Sequence, residues 1–125
     1  MRFFVLAALL ATAACGQQQQ PLPDNLTLLA GKQVLVGRLA LCAPKTFQAN
    51  RDYAGKPATV ISVTPGKTYN FPASTLNRMA PEMRAQLEDM QKSAILLFQF
   101  EDGTKLDTCA AMGPKMLSDN LELAP

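Results

Sequence analysis

The sequence predicts a mainly β, α+β domain in which three strands precede a single helix and two strands follow it. Three observations carry this expectation. Val34, Val36, Leu39 and Leu41, and the β-branched run Ala58 to Val63, read as strands in the first half of the chain. Met83, Leu87 and Met90 recur at a helical period after Pro81. The apolar run Ala94 to Phe100 then meets the turn pair Asp102-Gly103, and Thr104 to Cys109 reads as the returning strand of a hairpin. A small five-stranded barrel and an α+β sandwich of the same elements both accommodate this order.

The first strand spans Lys32 to Leu41, and Gly37 interrupts its alternation where a bulge or sharp coil would reverse the facing of side chains. Phe47 to Tyr53 is a more polar second strand. Ala54-Gly55-Lys56-Pro57 turns into the third strand, Ala58 to Val63, and Thr64-Pro65-Gly66-Lys67 stops it. Pro81 suits a first helical turn and Glu82 the positive end of the helix dipole, which places the helix from Pro81 to Lys92. Between these, Pro65 to Pro81 reads as the longest irregular stretch. The globular domain is set at residues 26–117, after a polar, proline-broken tether at 15–25 and before a short acidic tail at 118–125. The element order, the glycine in the first strand and a cysteine near the ends of the first and last strands resemble the OB-fold. That resemblance implies a five-stranded barrel carrying its helix between strands three and four.

A second resemblance lies at the N-terminus. Arg2 is followed by apolar Phe3 to Ala11, too short to cross a bilayer, then by the small residues Thr12-Ala13-Ala14 and by Cys15. This arrangement resembles the signal peptide of bacterial lipoproteins, with residues 1–14 as the signal. Ordinary cleavage after Ala14 and an uncleaved membrane helix are the competing readings. The resemblance implies that the signal is removed and that Cys15 carries acyl chains anchoring the protein in a membrane, facing the periplasm. Gly16 after the cysteine, where Asp marks inner-membrane retention in that family, implies the outer membrane.

Composition narrows the function classes. Twelve Lys and Arg stand against ten Asp and Glu. Removing Arg2 with the signal leaves a nearly neutral chain, so neither charge nor export favours a nucleic-acid partner. With Cys15 assigned to lipid, Cys42 and Cys109 are expected to pair in an oxidising compartment. That bond closes a loop of about 67 residues, worth on the order of 4 kcal/mol in chain entropy. The sequence contains no His and no Trp, which removes Ser-His and Cys-His nucleophile pairs and the common zinc-ligand sets. Glu88-Asp89 and Glu101-Asp102 read as solvated carboxylates. The expectation is a non-enzymatic binding protein without a cofactor or a metal, acting as an accessory or assembly factor of the envelope.

Between Lys32 and Lys67 there are six cations and a single acid, Asp52. Arg38, Lys45, Arg51, Tyr53 and Lys67 are therefore the candidate ligand-binding set, suited to an envelope protein or an anionic or cell-wall glycan. The same cations would equally guard exposed strand edges. An inhibitor or immunity protein directed at an envelope-attacking enzyme is the alternative, with Tyr69, Asn70 and Phe71 at the centre of the irregular stretch as its contact loop. Met79, Met83, Met90, Met112 and Met116 raise a third reading, Cu(I) carriage through thioethers, against the ordinary use of methionine as a core filler. Cys15→Ser is expected to abolish acyl labelling and membrane fractionation; unchanged labelling would remove the lipoprotein reading.

Overall fold

The long antiparallel pair β4 (Pro57–Pro65) and β5 (Ala94–Phe100) forms the centre of the computed structural model, which describes residues 22–124. Cys15 and the signal-like segment before it lie outside the described residues. Around this pair are β1 (Gln33–Val36), β2 (Leu41–Cys42), β3 (Ala49–Asn50), β6 (Lys105–Asp107) and β7 (Leu121–Leu123). They form one seven-stranded antiparallel sheet in the order β3-β2-β6-β5-β4-β1-β7. Three short helices accompany it: α1 (Ala73–Arg78), α2 (Pro81–Gln91) and α3 (Pro114–Ser118).

The strand-rich α+β class stands, but the expected five-stranded OB-like barrel with one helix does not: the sheet is a curled, seven-stranded half-barrel with three helices. The long first strand expected at Lys32 to Leu41 divides at Gly37 into β1 and β2, which lie on opposite sides of the β4–β5 pair. Gly37 is not a bulge. Its N–H donates to the Asn120 carbonyl at 2.5 Å, and a Cβ there would sit 2.6 Å from that same oxygen. The close approach holds β1 against the turn before β7 and makes glycine necessary. The bulge of this sheet lies in β4, where the register with β5 shifts between Val60 and Ser62. One residue inserted there bends the strand and increases its twist, which curls the sheet.

Further departures concern short elements. The polar second strand expected at Phe47 to Tyr53 shrinks to the two residues of β3. Helix α1 occupies part of the stretch read as irregular, and β7 occupies part of the stretch read as a tail. Leu22, within the expected tether, is buried in the core with Leu26 and Leu29 of a 3-10 turn, Leu26–Leu29. Helix α2 and strand β5 match their sequence expectations closely. The hairpin β5–β6 also forms, with Gly103 at φ 89° in a three-residue loop: the Phe100 N–H donates to the Thr104 carbonyl and the Phe100 carbonyl accepts the Gly103 N–H, both at 2.9 Å.

One face of the sheet makes the core. Alternate residues Ala94, Leu96, Phe98 and Phe100 of β5 are buried, together with Val60 of β4 and Val34 and Val36 of β1. Leu29 and Leu117 close over them from the 3-10 turn and α3. Each such side chain contributes about 1.5–3 kcal/mol on burial. Helices α1 and α2, by contrast, have no fully buried residue. Among the described residues no helix is long and apolar enough to cross a membrane.

Cys42 of β2 and Cys109 after β6 form a disulfide with their Cα atoms 5.1 Å apart. Strand β2 meets β6 at a single register pair, Cys42 with Asp107, so the covalent link and the burial of Leu41 in the core tie the β2–β3 hairpin to the sheet. Replacing both cysteines by serine is expected to lower stability by about 2–4 kcal/mol through the enlarged unfolded ensemble. The denaturant midpoint reads this; an unchanged midpoint would show that hydrogen bonds and the burial of Leu41 hold the hairpin without it.

Candidate functional site

Helix α2 carries Met83, Leu87 and Met90 at helical spacing, a stripe that normally faces a core. Here Met83 and Met90 are exposed and only Leu87 is half-buried. The helix therefore leans over the end of the sheet instead of covering it. Between α2, α3 and the adjoining ends of β4 and β5 lies an open groove of about 1030 Å³. Its apolar lining includes Tyr69, Met90, Ile95, Met112 and Met116, and Lys67 and Lys115 stand at its rim.

Two glycines let its walls approach one another closely. Gly66 ends β4 with its N–H bonded to the Ser93 carbonyl at 2.8 Å, and a Cβ there would lie 2.6 Å from Ser93 Oγ and 2.9 Å from Ala111 Cβ. Gly113 lies against the Asp89 side chain, where a Cβ would meet the carboxylate and would lie 2.5 Å from the Asp89 carbonyl. That carboxylate accepts the Lys115 N–H at 2.8 Å and the Met116 N–H at 3.4 Å, capping α3 from the neighbouring helix. Asp89 is thus a hinge pin between two walls of the groove. On the opposite wall, Gln91 clasps the Tyr69 backbone: its Oε1 accepts the Tyr69 N–H at 2.8 Å and its Nε2 donates to the Tyr69 carbonyl.

The structure distributes the sequence-predicted residues over three places. Lys67 and Tyr69, from two different candidate sets, line the same groove. Phe71 and Asn70 are exposed in the same connection but do not line it. Lys45 lies in the β2–β3 loop, Arg51 follows β3 directly and Arg38 lies in the connection before β2, where Arg51 Nη1 donates to its carbonyl at 3.3 Å. Tyr53 is engaged elsewhere. Its ring lies 4.4 Å from Phe100 between centroids, Lys56 Nζ sits 5.2 Å over it, and its hydroxyl donates to Asp102 Oδ2 at 2.8 Å. The Thr104 backbone N–H, joined by the Tyr53 and Thr104 hydroxyls, holds the Asp102 carboxyl below its ordinary range. These bonds tie the connection after β3 to the β5–β6 turn.

Of the five methionines considered as thioether ligands, Met90, Met112 and Met116 line the groove, while Met79 follows α1 and Met83, exposed on α2, does not line it. Cys42, Asp107 and Cys109 also come together, but both sulfurs are consumed in the disulfide, which leaves one carboxylate.

No protein-family model, curated protein or solved structure matches this chain.

Ile95 and Lys115 of the groove were not singled out by sequence reasoning, and Asp89, expected to be a solvated carboxylate, is half-buried and caps α3 instead. Their signal was indirect: the apolar stripe of α2 was legible, but its exposure depends on where the helix lands. Asp89→Ala is expected to cost about 1–2 kcal/mol, as the loss of a helix cap does. Thermal unfolding measures the cost, and an unchanged midpoint would show that α3 is held by Leu117 alone.

Proposed function

We propose that this is a non-enzymatic, lipid-anchored protein of the bacterial envelope that binds an apolar segment of a partner protein in the groove between α2 and α3. The observation that carries the reading is the exposure of Met90, Met116 and Tyr69 around one concavity. Thioether chains are flexible and polarisable, so a methionine-lined groove adapts to apolar partners of varied shape. Tyr69 adds rigid contact area with a hydroxyl, the kind of residue that dominates binding interfaces. Lys67 and Lys115 at the rim would meet acidic residues flanking the bound segment. The anchor expected at Cys15 supplies proximity, since tethering raises the effective concentration of the domain at the membrane.

The inhibitor reading draws on the same connection, because Tyr69 and Phe71 are 40% and 41% exposed beside the clasp by Gln91. The two readings separate at Phe71, which does not line the groove. A photoreactive residue at position 116 of the full chain is expected to capture one partner in native envelopes. Met90→Asp with Tyr69→Ala should weaken that capture at least about tenfold, the effect of losing central interface anchors. Arg38→Ala with Arg51→Ala should leave it intact. Capture that survives the groove substitutions but fails with Phe71→Ala would favour the inhibitor; failure with the arginine pair alone would place binding on the hairpin. Cu(I) titration of the reduced-metal-free protein addresses the thioether reading: tight binding abolished by Met116→Leu would make the groove a metal site.

A further inference from the structure

The most exposed large apolar side chain among the described residues is not in the groove. Phe47, at 89% exposure, stands in the six-residue loop joining β2 to β3, all of whose residues, Ala43 to Gln48, are exposed. The loop is built, not slack. The Ala43 carbonyl accepts both the N–H and the hydroxyl of Thr46, at 3.0 and 2.9 Å, closing a turn with Pro44 and Lys45 at its centre. Lys45 has φ 67°, a left-handed conformation in which glycine or asparagine is the unstrained choice. A lysine in this conformation stores local backbone strain, which clusters at binding and active sites.

The surroundings of Phe47 are cationic. Lys45 lies two residues away, and Arg51 and Arg38 meet at the base of the same hairpin. Lys45 is the charge at the tip itself, while Arg51 and Arg38 lie four and nine residues from Phe47 along the chain and extend the cationic face to the base of the hairpin. Beside the tip is a shallow hollow of about 360 Å³ whose polar lining is Thr46, Gln48, Asn50, Arg51 and one acid, Asp52.

We propose that the β2–β3 hairpin is a contact for an anionic lipid surface, in which Phe47 enters the headgroup layer and Lys45, Arg51 and Arg38 meet lipid phosphates. A single aromatic ring at a basic tip suits a bilayer interface, where amphipathic insertion and attraction to anionic headgroups act together. It does not suit a dry protein interface, whose centre needs a cluster of desolvated apolar anchors. No other large apolar side chain on this hairpin is exposed. The disulfide at the hairpin base transmits the contact to the sheet by fixing β2 to β6. The inference is separate from the groove and stands whether or not Cys15 is acylated.

The chain contains no Trp, so Phe47→Trp introduces the sole indole. The full chain carrying this substitution is reconstituted with phosphatidylcholine vesicles, with or without phosphatidylglycerol, and a Phe71→Trp chain serves as the comparison. The expected result is a blue-shifted emission at position 47 that bromine on the acyl chains quenches only when phosphatidylglycerol is present, while position 71 stays solvent-like. Adding Lys45→Gly should reduce the quenching several-fold with the thermal midpoint unchanged or raised, because glycine relieves the backbone strain. Solvent-like emission at position 47 in both vesicles overturns the proposal. So does equal quenching without anionic lipid or equal quenching at position 71. A shift that requires reconstituted envelope proteins would also overturn it, by assigning the tip to a protein.

Discussion

The pairing of β4 with β5 is the constraint on which the rest of the molecule depends. It runs from Ala58 with Phe100 to Pro65 with Ala94, and its buried face supplies Val60, Leu96 and Phe98 to the core. The bulge after Val60 bends this ladder, and the bend gives the sheet a concave side that the 3-10 turn and α3 can fill. Both ends of the pair then acquire roles. At one end Phe100 packs on Tyr53 and leads to the β5–β6 turn; at the other Pro65 and Ala94 release the chain into the walls of the groove.

The margins of the sheet are weak by comparison. Strands β2 and β3 contribute two residues each and meet the sheet at one register pair. Hydrogen bonds contribute only about 0.5–1.5 kcal/mol each, and with so few of them the disulfide matters at this edge. A covalent tie permits a short, exposed hairpin to keep a fixed attitude without burying its tip. The left-handed Lys45 and the exposed Phe47 persist there because nothing else in the hairpin requires them to be inside.

The groove arises from an amphipathic helix whose apolar stripe is incompletely covered. Helix α2 is held at its C-terminal end, by the Asp89 cap on α3 and by the Gln91 clasp on Tyr69. Neither attachment brings its methionines into the core. A helix fixed by polar contacts at one end of a sheet leaves part of its stripe to solvent, and Gly66 and Gly113 let the walls around it pack closely against Ser93 and Asp89.

The sequence by itself determined the strand-rich class, the boundaries of α2 and β5, the β5–β6 hairpin and the partnership of Cys42 with Cys109, because each rests on local periodicity, turn chemistry or an inventory of cysteines. It also marked Lys67 and Tyr69 as candidates, although in separate sets. Only the tertiary structure decided that β1 and β2 part at Gly37, since the reason is the Asn120 carbonyl, 83 positions away in the numbering. Strands of two or three residues such as β3 and β7, and a six-residue helix such as α1, are shorter than the periods that would announce them. The exposure of Met90 and Met116, and with it the groove, was decided by where α2 comes to rest, because periodicity shows which face of a helix is apolar but not what that face meets.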